Sequence, residues 1–227
     1  MCLKYGNIDI SKEPIPVKPS VHFFMGGLAV HNNHETNIRN LFAVGECASI
    51  YHGANRLGGN SLLAALYGGT VAADEISARD AVLKKPDFTD QIKKENLKLQ
   101  NIMDSKSSFP VMYIRDMAAE TMKCNMGIVR NEESLDKGIS DIDYYLSVAD
   151  RISYDRNVIM YANYSLTGIL TLARASLCCA KERRESRGSH YRSDYPETSD
   201  SFGSATIISY DEGQYRVRPD KERFYES

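Results

Sequence analysis

The stretch HGANRLGGNSLLAAL, from His52 to Leu66, sets one arginine among small residues and then continues as an apolar segment. Three glycines lie within three residues of Arg56, and a backbone without Cβ atoms lets a flat ligand approach closely. The guanidinium presents a planar fork that matches a carboxylate with two parallel hydrogen bonds. A helix that starts near Ser61 would add amide donors and a positive dipole end. This pattern predicts an anion-binding loop, with a structural arginine in a glycine loop as the alternative.

The segment after this loop has helical periodicity. Its apolar and small residues recur at spacings of four and three, which places them on one helical face: Leu62, Leu66, Gly69, Ala73 and Ile76. Asn60 or Ser61 is available as the N-cap. The glycine pair Gly68-Gly69 weakens the helix intrinsically, so we expect something to lie close against its backbone.

Two further segments precede this loop. In VHFFMGG (Val21–Gly27) a histidine, His22, stands before two aromatic residues and a glycine pair; taken alone, such a histidine is more often a packing residue than a ligand. NLFAVGE (Asn40–Glu46) is a short apolar run that predicts a buried strand. Its final carboxylate, Glu46, could accept hydrogen bonds from ligand hydroxyls or could serve a turn or helix start, and the spacing favours neither.

Composition and charge exclude several classes of protein. The 227 residues are 42% apolar and 26% charged, which is ordinary globular usage, and the net charge of −2 argues against nucleic acid or an anionic membrane as the main partner. No apolar run approaches the roughly 20 residues that cross a bilayer, and the first residues lack signal-peptide features. Five scattered cysteines without a CxxC predict reduced thiols in the cytoplasm. No metal site is expected, because no pair of the loop histidines has metal-ligand spacing: His31, His34 and His52.

The chain divides into three parts by its sequence pattern. Residues 1–84 are expected to be α/β, residues 85–110 a polar linker, and residues 111–227 a helical domain with an extended tail. The linker is expected to carry one solvated helix over Gln91–Met103. The helical domain is expected to contain three helices that pack as a small bundle: Val111–Asn125, Glu132–Ile152 and Ile159–Arg187. Gly188 then stands where a C′ glycine is expected. The tail after Pro196 alternates loosely, a pattern compatible with a strand.

One motif is absent from the sequence. The glycine-rich turn GxGxxG, which sets a dinucleotide pyrophosphate on a helix N-terminus, does not occur. The sequence opens instead with a proline-rich connector, KEPIPVKPS, which cannot form a helix or a central strand. We therefore expect this chain to be the later part of something larger.

A run of basic residues follows the last predicted helix. KERRESRGSHYRSDYP (Lys181–Pro196) has five Lys or Arg and one His in its first twelve residues. Glu182 and Glu185 interrupt the charge, which argues against a nucleic-acid patch. Taken alone, the run predicts a solvated helix end whose cations oppose the helix dipole.

Four motifs, in this order, resemble the flavoprotein subunit of the fumarate reductase and succinate dehydrogenase family, with its L-aspartate oxidase relatives. They are KEPIPVKPSVHFFMGG (Lys12–Gly27), NLFAVGECA (Asn40–Ala48), HGANRLGGNSLLAAL (His52–Leu66) and RESRGSHYRSDYP (Arg184–Pro196). The resemblance covers the chain to about Pro196 and matches only the C-terminal part of the family's longer subunit. It implies a partial FAD-binding domain of α/β class, without its GxGxxG half, followed by an all-α helical bundle.

The resemblance also implies roles for individual residues. His22 and Arg56 match the histidine and the arginine that bind the substrate carboxylates. The implied FAD contacts are a glycine pair near the flavin, an acid on the ribose or ribityl chain and residues at the start of the helix: Gly26, Gly27, Glu46, Asn60, Ser61 and Leu62. The proton-donating arginine and the histidine that often bonds covalently to FAD are expected upstream, so no catalytic residue is expected in this chain.

The function that the resemblance implies is the interconversion of fumarate and succinate with FAD, the isolated chain being inactive and not retaining the cofactor. The implied partners are a small dicarboxylate, the rest of the flavoprotein subunit and an iron–sulfur subunit, which would hold the chain at the inner face of the membrane. Two alternatives stay open. One is an L-aspartate oxidase or enoate reductase on the same scaffold; the other is a non-catalytic helical interaction module in which His22 and Arg56 are structural leftovers.

Overall fold

The computed structural model describes residues 2–17, 20–79, 87–105, 109–149, 151–153, 160–211 and 214–220. Its helices, in chain order, are α1 (Cys2–Gly6), α2 (Asn60–Ser77), α3 (Thr89–Asp104), α4 (Val111–Asn125), α5 (Glu132–Ala149), α6 (Met160–Tyr164) and α7 (Leu166–Glu182). Two 3₁₀ turns lie at Gly45–Cys47 and Asp200–Phe202. The strands are β1 (Phe109–Pro110), β2 (Val129–Arg130), β3 (Ile152–Ser153), β4 (Tyr191–Arg192), β5 (Thr206–Asp211) and β6 (Gln214–Pro219).

The largest core of the described structure lies in a bundle of α4, α5 and α7. Each helix contributes one apolar stripe at helical spacing: Val111, Ile114 and Ala118 from α4; Leu135, Ile142, Tyr145 and Val148 from α5; Leu166, Leu170, Leu177 and Ala180 from α7. Gly138 lets α5 approach α7, since a Cβ there would lie 2.9 Å from a methyl group of Leu177. The packing agrees with the predicted bundle.

The helix bounds agree with the predicted ones in part. α3 occupies the predicted solvated segment and buries none of its residues, and α4 has the predicted limits. α5 ends at Ala149, before the predicted end, because Ile152 pairs in parallel with Phe109 as part of β3. None of the described helices is long and apolar enough to cross a membrane.

The prediction of one continuous helix over Ile159–Arg187 is wrong. The described segment forms α6 and α7, which are separated at Ser165, and α7 ends at Glu182. The guanidinium of Arg192 donates to the carbonyl oxygens of Ala180 and Lys181 at 3.0 Å each, so this side chain caps the C-terminal end of the helix. Gly188 is consequently not a C′ glycine.

The buried strand predicted over Asn40–Glu46 is also wrong. Within the described residues of this region, the extended pairing consists of isolated bridges: Leu28 with Ala48, Val30 with Thr36, and Glu35 with Phe42. Gly45 adopts a φ of +66° and turns the chain into the first 3₁₀ turn, so the apolar run ends before a neighbouring strand can form a ladder. In the described part of residues 1–84 the strand pairing is therefore limited to isolated bridges, and the sheet of the expected α/β unit is not formed there.

Helix α2 buries a different face from the predicted one. Its buried residues are Ala64, Gly68 and Ala72, whereas Leu62 and Leu66 are 74% and 72% exposed. Small residues face inward because the 3₁₀ turn packs directly on the helix. The helix begins after Gly59, whose φ of +86° places it in the left-handed region, so neither Asn60 nor Ser61 is the N-cap.

The close approach predicted at the glycine pair occurs at Gly68. A Cβ there would lie 2.7 Å from the Tyr51 hydroxyl and 3.0 Å from the ring of His34, which is buried. The Nδ1 of His34 donates to the Ala43 carbonyl at 3.1 Å, which leaves Nε2 to accept from the Tyr51 hydroxyl at 2.7 Å. A Cβ on Gly69, by contrast, would meet nothing within 4 Å.

The tail after Pro196 forms an antiparallel hairpin, β5–β6, in register from Thr206–Pro219 to Asp211–Gln214. The hydroxyl of Tyr215 donates to the Thr171 carbonyl at 3.3 Å, and the Arg174 guanidinium lies 4.3 Å from the centre of the Tyr215 ring. These contacts fix the hairpin on α7.

The two neighbouring glycines of α2 provide a matched test of this packing. We expect Gly68→Ala to destabilise the chain by about 1–3 kcal/mol, because the added methyl group overlaps Tyr51 and His34. Gly69→Ala should instead stabilise it by up to about 1 kcal/mol through helix propensity alone. Urea denaturation measures both values; equal effects of the two substitutions would contradict the packing.

Candidate functional site

The loop before α2 holds Arg56 against an aromatic ring. The Arg56 guanidinium carbon lies 4.4 Å from the centre of the Phe23 ring, a cation–π distance. Its Nη1 donates to the Leu57 carbonyl at 3.3 Å, and its buried Nε has no hydrogen-bond partner in the described structure. A buried donor without a partner costs free energy, so the protein does not satisfy this guanidinium completely.

His52 lies on the same aromatic ring. Its imidazole meets the Phe23 ring edge to face, with centroids 5.3 Å apart. Its buried Nε2 also lacks a partner within the described residues, and its backbone has a φ of +74°, a costly conformation for a residue with a side chain. Sequence reasoning classified His52 only as a loop histidine, because neither the left-handed backbone nor the unpaired nitrogen has a signal in the sequence.

His22 lies next to Phe23 but is exposed. No hydrogen bond or ring contact in the described structure joins it to Arg56. The two sequence-predicted carboxylate ligands therefore belong to one neighbourhood through Phe23, whose ring supports Arg56. Their simultaneous contact with one ligand stays a prediction.

The glycine pair of the first motif has two different environments. A Cβ on Gly27 would overlap the Cys47 carbonyl oxygen, and the backbone there has a φ of +154°. Leu28 donates its N–H to that same carbonyl at 2.8 Å, so Gly27 serves an internal contact. A Cβ on Gly26 would meet nothing within 4 Å, which leaves this side of the backbone open.

Glu46 joins the first two motifs. It is exposed at the 3₁₀ turn, and its Oε1 accepts the backbone N–H of Phe24 at 2.9 Å. The carboxylate thereby fixes the segment that contains Phe23 relative to the start of α2. Asn60 and Ser61, in the first turn of α2, are half-buried.

The basic run at Lys181–Pro196 is not a solvated helix end, contrary to the sequence prediction. Glu185 and Arg192 are both fully buried. Glu185 pairs with Arg183 at 2.7 Å and with Arg187 at 2.9 Å, and it accepts the N–H of Ser199 at 2.9 Å. Burial by itself would raise the pKa of Glu185, but these hydrogen bonds and charges keep the pKa below its ordinary value. Glu185 and Arg192 of this basic run therefore belong to a buried network of ion pairs and hydrogen bonds, formed in part with residues outside the run.

Two protein-family models match the chain. The FAD binding domain model matches residues 2–62, which include the segment of Phe23 and the loop of Arg56. The model described as fumarate reductase flavoprotein C-term matches residues 115–224, which include the bundle and the buried charge network.

Curated relatives and solved structures agree with these matches. The succinate dehydrogenase flavoprotein subunit of Bacillus subtilis is 35% identical over 221 residues, which is 91% of this chain and 37% of that protein. The fumarate reductase flavoprotein subunit of Haemophilus influenzae is 37% identical over 92% of this chain and 36% of that protein. The FrdA chain of E. coli quinol fumarate reductase has a TM-score of 0.83 at 31% identity, over 96% of this chain and 40% of that chain. The chain belongs to the fumarate reductase and succinate dehydrogenase flavoprotein family. It spans little more than a third of the length of the curated relatives it matches.

The residues around Arg56 in this flavoprotein segment fit a flat cofactor with polar substituents. A Cβ would meet nothing within 4 Å at any of four glycines near the loop: Gly26, Gly53, Gly58 and Gly59. Two buried nitrogens, Arg56 Nε and His52 Nε2, lack partners within the described ranges. Open backbone together with unpaired polar nitrogens is compatible with a flavin and a carboxylate ligand.

An ion pair between Arg79, two residues after α2, and Glu35 joins the C-terminal end of that helix to the loop that contains Glu35. Arg79 donates to both oxygens of Glu35 at 2.7 Å each, and Asn40 donates its N–H to the same carboxylate at 2.6 Å. The hydrogen bonds from Arg79 are the largest cause of a Glu35 pKa lowered to about 2. The pair thus anchors the helix whose first turn follows Arg56.

This pair predicts a pH dependence of stability. The folded pKa of Glu35 lies below its ordinary 4.5, so its contribution is fully present above pH 4.5 and is lost as the pH falls toward about 2. We expect Glu35→Gln to remove that part of the acid sensitivity, measured as the urea midpoint between about pH 5 and pH 3. Glu133→Gln, at an exposed carboxylate of α5, is the control and should keep the parental slope. A parental slope in Glu35→Gln would contradict the assignment.

Proposed function

We propose that this chain supplies the substrate-carboxylate and flavin contacts of an FAD-dependent oxidoreductase that interconverts fumarate and succinate. The observation that carries the proposal is the Arg56 guanidinium, stacked on Phe23 with an unpartnered Nε in a loop of open glycines. The B. subtilis and H. influenzae relatives, a succinate dehydrogenase and a fumarate reductase flavoprotein subunit, indicate the substrate class.

The proposed role of Arg56 follows from the chemistry of its side chain. Phe23 supports the guanidinium through a cation–π contact at 4.4 Å, and the planar fork would meet one carboxylate of a dicarboxylate with two charge-assisted hydrogen bonds. A fixed cation also stabilises negative charge that develops on that carboxylate in the transition state. His22, one residue before Phe23 and exposed, would donate to a carboxylate oxygen of the same ligand.

The proposed FAD contacts surround this loop. FAD, when bound, would accept hydride from succinate or give hydride to fumarate. Gly26, Asn60 and Ser61 would face the cofactor at the open backbone and at the first turn of α2. Gly27 would act indirectly, since its own contact is with Cys47. Oε2 of Glu46 is available for a ribose or ribityl hydroxyl, because the Phe24 N–H occupies Oε1.

The partners are proposed from the size of the relatives and from one exposed surface. The relatives are more than twice as long as this chain, and α2 exposes its large apolar residues: Leu62, Leu63, Leu66 and Tyr67. Such a face favours further flavoprotein structure packed against it. We propose that the chain divides into a part of the FAD-binding domain (residues 1–84), a linker (85–110) and a helical domain (111–227). Leu62 would lie at the flavin. An iron–sulfur subunit would be the electron partner, at the cytoplasmic face of a membrane.

Substitution of Arg56 tests the proposal in the FAD-loaded enzyme that contains this chain. Arg56→Ala should lower kcat for fumarate reduction by about 100- to 1,000-fold, because a donor to developing charge is lost. Arg56→Lys should recover part of the loss, since it keeps the charge but not the fork. FAD content should stay unchanged.

Arg216→Ala is the matched control, because Arg216 is an exposed arginine on β6. Steady-state kinetics with fumarate, succinate and aspartate measure the effect and separate the aspartate oxidase alternative. Near-parental turnover of the dicarboxylates by Arg56→Ala would refute the proposal. Turnover of aspartate alone by the parent enzyme would replace the substrate class.

The isolated chain should bind FAD weakly or not at all, because the sequence has no GxGxxG turn to hold the pyrophosphate. The visible absorbance of the purified chain, after incubation with FAD and desalting, measures this directly. Stoichiometric flavin on the isolated chain would contradict the division of the site.

A further inference from the structure

The loop that presents Arg56 has a backbone that local sequence does not stabilise. His52 has a φ of +74° and Gly53 a φ of +56°, so two consecutive residues are left-handed. For a residue with a side chain this conformation costs of order 1–3 kcal/mol, and it persists only where surrounding contacts hold it. The hydrogen bonds within the loop are long: Asn55 N–H donates to the His52 carbonyl at 3.3 Å, and the Leu57 carbonyl accepts from Asn60 N–H at 3.2 Å and from Arg56 Nη1 at 3.3 Å.

The contact that holds the loop comes from a distant part of the chain. Ser189 donates its backbone N–H to the Ala54 carbonyl at 3.0 Å and its hydroxyl to the same oxygen at 3.2 Å. Ala54 directly follows the two left-handed residues and lies two positions before Arg56. The bonds therefore fix the backbone two residues before Arg56.

Ser189 belongs to a tight turn, Arg187–His190, which we call the docking turn. Arg187 and His190 exchange backbone hydrogen bonds at 2.8 and 3.1 Å. Between them, Gly188 has a φ of +58°, and a Cβ on it would overlap the Ala54 carbonyl oxygen. Position 188 requires glycine for two reasons, the left-handed backbone conformation and the close approach to Ala54.

The docking turn has a rigid base in the helical domain. Arg187 donates to the buried Glu185 at 2.9 Å, and Glu185 also pairs with Arg183. The imidazole of His190 is bonded on both nitrogens, to the Arg183 carbonyl at 3.0 Å and to Arg130 at 2.9 Å. Fixed side chains on both sides of the turn leave it little freedom, so the turn can impose its geometry on the loop.

We propose that the docking turn is a positioning element for substrate binding: Gly188 and Ser189 hold the Ala54 carbonyl so that the Arg56 guanidinium is oriented toward a dicarboxylate before it binds. The inference rests on the proposed function of Arg56. It assigns to the helical domain a direct part in substrate affinity, and it makes Ser189 a positioning residue that does not touch the substrate.

The test uses the FAD-loaded enzyme that contains this chain, with Ser189→Ala, Ser189→Thr and Gly188→Ala. Succinate titration of the flavin absorbance gives the dissociation constant, steady-state kinetics give kcat and KM, and flavin content and unfolding midpoint report structure. Gly168→Ala is the matched control, because a Cβ there, on α7 of the same domain, would meet nothing within 4 Å. Arg56→Ala in the same series tests the proposed function itself.

We expect Ser189→Ala to raise the succinate dissociation constant about fivefold, the effect of one lost hydrogen bond, with flavin content and unfolding midpoint unchanged. Ser189→Thr should restore the affinity, since it keeps the hydroxyl. Gly188→Ala should raise the constant at least about tenfold and lower kcat, because its Cβ displaces the loop. Gly168→Ala should match the parent.

Three results would overturn the inference. One is affinity within twofold of the parent in both Ser189→Ala and Gly188→Ala while Arg56→Ala loses binding. Another is a Ser189→Ala variant in which affinity, flavin content and unfolding midpoint all decrease together, since that pattern indicates a structural effect. The third is parental binding in Arg56→Ala, which removes the proposed function and the positioning role with it.

Discussion

The stacking of the Arg56 guanidinium on the Phe23 ring is the interaction on which the site depends. It joins a segment that precedes a short 3₁₀ turn to the loop that precedes α2, and it holds a cation half-buried with one donor unpaired. A structural arginine would have its buried donors satisfied by the protein. The unpaired Nε therefore supports the proposal that Arg56 binds a ligand over the structural alternative that the sequence left open.

Two segments that are distant in the sequence contact each other at the candidate site. The motif that contains Arg56 and the motif that contains Glu185 are more than a hundred residues apart, yet the docking turn bonds directly to Ala54. The alternative of an independent helical interaction module does not explain that contact. A bundle with its own core is present, but the docking turn that follows it lies directly against the Arg56 loop, since a Cβ on Gly188 would overlap the Ala54 carbonyl oxygen.

The sequence predicted the helices between residues 89 and 149 well and the packing around the candidate site poorly, for physical reasons. Apolar periodicity is local, so the segments of α3, α4 and α5 were located to within a few residues. The inward face of α2 was wrong because periodicity weights large residues, whereas here Ala64 and Gly68 face the core and the leucines face outward. The charge run was wrong because burial of Glu185 and Arg192 depends on partners distant in the sequence. The roles proposed for His22 and Arg56 came from family resemblance, and His52 was missed because only three-dimensional structure reveals its backbone and unpaired nitrogen.

The most direct test of the account is a crystal structure of the FAD-loaded enzyme that contains this chain, with succinate bound. We expect Arg56 to keep its contact with Phe23 and to donate two hydrogen bonds, at about 2.7–2.9 Å, to one succinate carboxylate. A guanidinium that points into bulk solvent, with the dicarboxylate bound elsewhere, would contradict it.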